Sequence, residues 1–486
     1  MLFVMVLMCF IPLQLQAYDF EVDGIGYTVT SRPNLTCEVS ELVNNDLIDV
    51  IIPDKVIFRD TELTVTSIGR FAFSAESNIH SVYIPSTIQS LGDYMCSSCE
   101  NLFSVKFQEG CSLDCISAGA FKNCYALRTI NFPAPKFHEF TIQPEAFSHC
   151  TSLDCIILPE TSCDIGESAF EYSGLSTVIT PDNLPITIYD CAFSNCELLK
   201  EINLKNAQFY GSHIFRGCNN LESVEIGSCA IPQSTFIDCT NLKQVSLLEG
   251  VEYISMDAFM NSGVENIILP YSLKKLGSYA FADCKNLREL TISGPYVNCD
   301  GNDIFRNSPI EKLTILSVQS SKQFFGYTRS QPPFTTAKYL YTNGISKQNL
   351  LDRNSIPFPA LDILELGPDT QSILFLKWDI LNLQKLICHA STPPELPKLT
   401  NQAYLNWEVI VPENCLGAYR QAPVWQEFWN IKGDSTANSI EDVNITTDGK
   451  RIVAKYSIDG VPVDDNYKGI IILRYSDGSS KKHFQR

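Results

Sequence analysis

Catalytic and cofactor signatures are missing from this 486-residue chain. It holds no G-x-S-x-G, H-E-x-x-H, G-x-G-x-x-G or P-loop pattern, so the common nucleophile, zinc, dinucleotide and phosphate sites have no counterpart. Histidine is scarce, and His80, His138, His149, His213, His389 and His483 follow no metal-ligand spacing. His138 and Glu139 adjoin, but they lie in the longest repeat between Phe137 and Phe140, which reads as an exposed loop, not a catalytic dyad. Carboxylates are plentiful, yet nothing singles out the facing pair that glycoside hydrolysis requires. Positive charge is also short: 36 Lys and Arg face 55 Asp and Glu, a net charge of −19. Nucleic acid is therefore excluded as a partner, since a phosphate backbone needs a basic face. Only residues 449–486 run the other way, with 8 Lys and Arg against 4 Asp. That tail reads as a solvated edge, with contact to an anionic surface as the alternative.

Long apolar runs are absent beyond the N-terminus. Residues 1–12 are apolar throughout and residues 13–17 end on the small Ala17, the pattern of a signal peptide too short to span a bilayer. No Lys or Arg precedes the run, which departs from the usual pattern. Cys9 lacks a small residue before it, so lipid attachment there is not expected. The expected localisation is export to the cell surface or extracellular space, or to the periplasm, with no transmembrane span in the mature chain.

What the chain does contain is a repeat. In residues 265–287, ENIILPYSLKKLGSYAFADCKNL, Phe281 has Leu276 five residues before it, Cys284 three after it and Leu287 six after it. Equivalent anchors are Phe73, Phe121, Phe147, Phe170, Phe193, Phe215, Phe236, Phe259 and Phe305, with Cys96 in the Phe slot of one repeat. Ile68, Leu91, Ile116, Ile142, Ile165, Ile188, Ile231 and Ile254 repeat the Leu276 slot. A fixed period of 21 to 26 residues marks a solenoid, whose units must stack because none buries its apolar side alone. After each closing Leu, apolar and polar residues alternate, as at Val82 and Ile84 or Val224 and Ile226. A period of two means a short strand, stopped by Pro85, Pro133, Pro159 or Pro270. The expected fold class is a β-rich solenoid of about ten rungs of about 23 residues, with a β N-cap, a C-cap containing a short helix and a small C-terminal β module.

These residues resemble the BspA-like leucine-rich repeat family of bacterial surface proteins, whose repeats read L-x-x-I-x-I-P…V-x-x-I-G-x-x-A-F-x-x-C-x-x-L. The resemblance covers residues 42–433. Around Ser173, Ser262 and Ser308 the Cys-x-x-Leu becomes Ser-Gly-Leu, Ser-Gly-Val and Ser-Pro-Ile, read as tighter corners and not as lost rungs. The resemblance implies a leucine-rich repeat array and adhesion to host or bacterial proteins.

In order, residues 1–17 form the signal peptide, 18–60 the N-terminal β cap and 61–316 the solenoid. Residues 317–433 hold degenerate repeats and the C-terminal cap, and 434–486 a linker and β module. The period falters from about Ile315, and residues 317–354 are rich in aromatics, including Phe324, Phe325, Tyr327, Phe334, Tyr339 and Tyr341. Strand-like segments return at residues 363–366 and 383–388. Tyr419, Trp425, Phe428 and Trp429 fall near one helical face, which places both Trp in the cap core. Residues 434–439 read as a polar linker, and Asp-Gly turns punctuate the last segment. That segment resembles the small C-terminal β modules of exported proteins from anaerobic Gram-negative bacteria, including type IX secretion sorting domains. Its first strand is hard to find, so a structural end-piece is the alternative.

Nineteen cysteines in an exported chain suggest disulfides. However, Cys99, Cys124, Cys150, Cys196, Cys218, Cys239 and Cys284 share one slot, three residues after the anchor. A stacked column of small buried thiols is expected there, with bridges between neighbouring rungs as the alternative. Cys96, Cys99, Cys111 and Cys115 imitate a four-thiolate zinc spacing, but the repeat turns Cys96 and Cys99 inward and Cys115 the other way. No metal and no cofactor are expected.

The outward strand positions form the candidate binding surface. The row four residues after the closing Leu holds Lys106, Asn131, Ile157, Asn203, Glu225, Ser246 and Thr291, with Tyr83, Ile179 and Ile268 in equivalent places. Ile157, Ile179 and Ile268 among polar neighbours suit a protein better than a sugar, which favours aromatic platforms. The expectation is a monomeric, non-catalytic surface protein whose partner is a host matrix or bacterial surface protein. Glycan binding through the aromatic 317–354 segment is the alternative.

Overall fold

From the Phe73 rung to the Phe305 rung, each corner turns on a pair of left-handed residues, one two positions before the anchor and one two positions after it. The computed structural model describes residues 17–294, 297, 302–316, 334–343, 358–373 and 382–434, with the backbone of Ile452–Ser457, Gly469–Tyr475 and Ser480–Gln485. The chain forms two units, Met1–Leu184 and Pro185–Arg486. In the first, Phe71 and Ala75 flank Phe73 at φ 59° and 64°, and Glu145 and His149 flank Phe147 at 59° and 62°. In the second, Ser234 and Asp238 flank Phe236 and Asp257 and Asn261 flank Phe259, all between 55° and 63°. This conformation is unfavourable for most side chains, and Asn and Asp tolerate it best. It recurs because it lets the backbone pair from rung to rung: Phe236 N–H donates to the Ala258 carbonyl at 2.8 Å and Asp238 N–H to the Met260 carbonyl at 3.0 Å.

The first unit opens with an antiparallel hairpin, Phe20–Val22 and Ile25–Ser31, joined by Asp23 and Gly24 at φ 49° and 81°. Both residues of a two-residue type I′ turn need positive φ, which Asp-Gly supplies. Gly24 is further required because a Cβ there would lie 2.6 Å from Asn44 Cβ. Ile25–Ser31 pairs with Thr36–Leu42, which pairs in parallel with Thr61–Ile68, itself antiparallel to Lys55–Phe58. Parallel outward strands then follow: Asp49–Ile51, Ser81–Ile84, Ser104–Phe107 and Thr129–Ile130, and beyond them Cys155–Ile157 beside Thr177–Ile179. The outward row therefore begins at Asp49, inside the stretch expected to be cap. A second parallel ladder pairs Cys115–Ile116, Glu139–Ile142 and Ser162–Ile165.

The second unit carries a ten-stranded parallel sheet that starts at Ser223–Ile226 and ends at Ile431–Asp434. Its later strands, Lys312–Ile315, Tyr339–Thr342, Ile363–Leu366, Lys385–Cys388 and Glu408–Pro412, continue the pairing where the sequence period falters. The phenylalanine column continues with them. Phe193, Phe215, Phe236, Phe259, Phe281 and Phe305 stack at centroid spacings of 5.1 to 5.7 Å, followed by Phe334 at 5.8 Å and Phe358 at 6.0 Å. In the first unit Phe121, Phe147 and Phe170 stack in the same way at 5.4 and 5.3 Å. A three-stranded antiparallel sheet closes the chain.

The cysteine slot packs against these columns. Thiols in this slot donate to the carbonyl of the anchor one rung earlier: Cys99 to Phe73 at 2.9 Å, Cys150 to Phe121 at 3.1 Å, Cys218 to Phe193 at 3.2 Å, Cys239 to Phe215 at 3.0 Å. Cys124 donates to the carbonyl of Cys96, the residue in the Phe slot, at 3.1 Å. All of these thiols are buried. In the shorter repeats Ser173, Ser262 and Ser308 are buried in the same slot. The glycine that follows has a steric cause: a Cβ on Gly174 would lie 2.1 Å from the Thr151 carbonyl oxygen, and one on Gly263 2.2 Å from that of Thr240.

One rung is left without an inward residue by the repeat spacing, and one expectation for the C-terminal cap is overturned. In the Phe215 rung the inward slot belongs to Phe209, whose strand pairs it with Ile188, because that corner has one extra residue. The C-terminal cap is not one helix. Val424 at φ 71° separates the helix Leu416–Tyr419 from the short 3₁₀ turn Trp425–Glu427, which rotates the following residues off the expected face. Trp425 is cap core, its Nε1 donating to the Pro394 carbonyl at 2.7 Å, but Trp429 stands 82% exposed.

Candidate binding surface

The parallel register sets the outward row, because strands that pair residue on residue put equivalent side chains about 4.8 Å apart on one face. In the first unit Ile51, Tyr83 and Lys106 are successive register partners, and Ile157 pairs with Ile179. Asn131 follows the strand Thr129–Ile130 and is exposed. Ile157 and Ile179 are 58% and 48% exposed. In the second unit Glu225 pairs with Ser246, Asn203 lies beside that row next to the Leu204–Ile226 bridge, and Ile268, 47% exposed, pairs with Thr291. Of the ten residues, Tyr83, Glu225 and Thr291 are half-buried and the other seven exposed.

The row runs further than the repeat pattern indicated. Thr291 pairs with Thr314, then Tyr341, Glu365, Ile387, Ile410 and Lys432. This stretch is largely satisfied by its own neighbours. Lys312 meets Glu289 at 3.2 Å, Lys338 meets Glu311 at 3.2 Å, and Glu408 bridges Lys385 and Lys432 at 3.7 and 3.2 Å. Exposed pairs of this kind add little stability, but they leave fewer unpartnered charges for a ligand. Beside them the Glu365 carboxylate accepts from Tyr339 Oη and from His389 Nε2 at 2.8 Å. The hydrogen bond from His389 holds the Glu365 carboxyl below its ordinary range against the opposing pull of burial, and the Tyr339 bond adds to it. Burial, then the Glu365 bond, raises the Tyr339 hydroxyl.

Among the described residues, no group of three or more His, Cys, Asp or Glu side chains is placed to hold a metal ion. Cys96, Cys99 and Cys111 are buried, and Cys115 is half-exposed on its strand. His138 and Glu139 are both exposed, whereas Phe140 is core. No described helix is long and apolar enough to cross a membrane. The aromatic segment 317–354 lies outside the described residues except for 334–343. Sequence reasoning missed Trp429 as a surface residue, and the orphan hydroxyl of the buried Tyr27 carries no sequence mark at all.

Comparison with known proteins bears on the fold and the family. A solved leucine-rich repeat protein from Bacteroides ovatus is similar at 22% identity and TM-score 0.51, covering 86% of this chain and 100% of its own. A leucine rich cell surface protein from Faecalibacterium prausnitzii is similar at 21% identity and TM-score 0.44, covering 79% of this chain and 96% of its own. No curated protein matches. The family profile described as BspA type leucine rich repeat region, six copies, matches residues 54–140, 138–230 and 212–328. With more than half of its length matched, this chain belongs to the BspA-type leucine-rich repeat family.

Proposed function

We propose that this chain is a non-catalytic, exported surface protein that binds host or bacterial proteins through its outward strand rows, as a monomer. Its family is typically non-catalytic and leucine-rich repeat proteins generally bind proteins, which supports the coarser part of this reading. The observation that carries the finer part is the pair Ile157 and Ile179, register partners on adjacent strands, both about half exposed. Two neighbouring β-branched side chains facing water on a regular, rigid sheet are the kind of apolar centre that a polar-rimmed protein interface buries. Tyr83, Lys106, Asn131, Asn203, Glu225, Ser246, Ile268 and Thr291 extend the two units' rows around such centres.

A panel of matrix and bacterial surface proteins, offered to the purified mature chain alongside a glycan array, tests the proposal. Saturable capture of a protein, weakened by Ile157→Asp, is the expected result. Capture confined to glycans would transfer function to the aromatic 317–354 segment.

A further inference from the structure

The two units differ in how their charge is balanced. Residues 18–184 carry 23 Asp and Glu against 8 Lys and Arg, a net of −15, whereas residues 185–434 carry 25 against 20. No Lys or Arg occurs between Lys136 and Lys200. In the second unit opposite charges pair from rung to rung, as Lys312 does with Glu289 and Lys338 with Glu311. Among the described residues of the first unit, only Glu62 and Glu145 meet a cation, Lys55 at 2.6 Å and Lys122 at 2.8 Å. The other carboxylates there have no cation beside them, so their negative potential reaches into solvent.

The exposed Ile157 and Ile179 lie inside the stretch that lacks cations, and carboxylates flank them at both ends. Asp154 stands three residues before Ile157, and Glu160 and Asp182 stand three residues after Ile157 and Ile179. All three carboxylates are exposed, and none is in an ion pair. At about 3.3 Å per extended residue, each lies within about 10 Å of an isoleucine, close to the Debye length at physiological salt. Asp154 is positioned by Ser176, whose hydroxyl donates to its Oδ1 at 2.6 Å from the neighbouring rung. An apolar centre inside an unpaired anionic rim selects among partners. Like charge brought against the rim is repelled, whereas a surface with cations around an apolar tip is attracted and paired.

We propose that the partner of this face is a basic protein, which sets an apolar side chain on Ile157 and Ile179 and Lys or Arg side chains against Asp154, Glu160 and Asp182. The proposal rests on the protein-binding reading above and names the chemistry of the partner. Encounter is steered by charge, so association is fast at low salt and slows as salt screens the rim.

The test offers three labelled heptapeptides to the intact mature chain and follows fluorescence anisotropy: KKLLLKK, its charge-reversed form EELLLEE and its apolar-free form KKSSSKK. Saturable binding of KKLLLKK is expected, at least tenfold tighter than either counterpart. It should weaken at least tenfold when NaCl rises from about 50 to about 500 mM. The triple variant Asp154→Asn, Glu160→Gln, Asp182→Asn, whose asparagine still accepts from Ser176, weakens KKLLLKK at least fivefold. The triple variant Asp46→Asn, Asp60→Asn, Glu100→Gln makes the same change in charge at exposed positions elsewhere on the unit and leaves affinity within about twofold, because only the rim pairs with the ligand. The double variant Ile157→Thr, Ile179→Thr keeps the β-branching that suits a strand, so it folds, and it also weakens KKLLLKK at least fivefold. Equal binding of EELLLEE or KKSSSKK, or equal losses in the two neutralised variants, overturns the assignment. A neutral or acidic protein captured through Ile157 in the panel overturns it as well and leaves the binding-surface proposal standing. An empty panel removes the binding-surface proposal and does not alter the peptide result.

Discussion

Cys284 donates its thiol to the carbonyl of Phe259 one rung back, across 3.1 Å, and Ser308 makes the corresponding bond to Phe281 at 2.6 Å. The slot therefore selects a small side chain with a donor, and sulfur is not essential to it. Cys239→Ser, which keeps a donor facing the Phe215 carbonyl, should cost less than about 1 kcal/mol. Cys239→Leu, which overfills a fully buried position, should cost about 1–3 kcal/mol. Urea unfolding of the two variants decides between a donor slot and a purely apolar one.

Reactivity follows from the same burial. Burial pushes the Cys284 and Cys388 thiols up to about 11, so at neutral pH they are protonated, shielded and poor nucleophiles. Native labelling with a thiol reagent should modify the exposed Cys229 first and reach the column only on unfolding. Mass analysis of the denatured, unreduced chain checks this. Each bridge within the column would remove two modifiable thiols.

The left-handed corners invert a common substitution rule. Ala75 is exposed at φ 64°, where glycine is free of the strain an alanine Cβ suffers. Ala75→Gly should raise stability by about 0.5–1 kcal/mol, although glycine normally weakens regular structure. Gly217→Ala is the converse: φ is 70° and a Cβ would lie 2.7 Å from Asn195 Oδ1, so Tm should fall. Calorimetry of the pair measures both signs.

The repeat made most of the fold legible. Phe73 to Phe305, the closing leucines and the cysteine slot repeat closely enough that stacking follows from the need to bury them. Legibility ended where spacing changed: Phe334 is 29 residues after Phe305, beyond the 21 to 26 of the other rungs, although its ring joins the same column. Trp429 was misplaced because a helical projection assumes one continuous helix, and Val424 breaks it. The corner conformation was hidden because residues such as Phe71, Tyr94 and Tyr172 adopt positive φ without glycine to announce it.

The polar cluster in the second unit makes acid stability testable. Glu365 has a depressed folded pKa, so its contribution is present above the ordinary glutamate value and is lost as pH falls through the folded one. Glu365→Gln should lower stability at pH 7 by roughly 1–3 kcal/mol, the range for a hydrogen-bonded charge. It should also flatten the fall in stability below about pH 4.5. Unfolding curves from pH 3 to 7 for both proteins read this directly.

The outward row is best tested by the double variant Ile157→Asp, Ile179→Asp, compared with wild type by surface plasmon resonance on the protein captured in the panel. The two aspartates oppose each other on half-exposed register positions, so stability should fall by about 1–2 kcal/mol with the fold retained, while Kd rises at least tenfold. Unchanged Kd with an intact fold would show that binding lies elsewhere on the chain and would contradict the account.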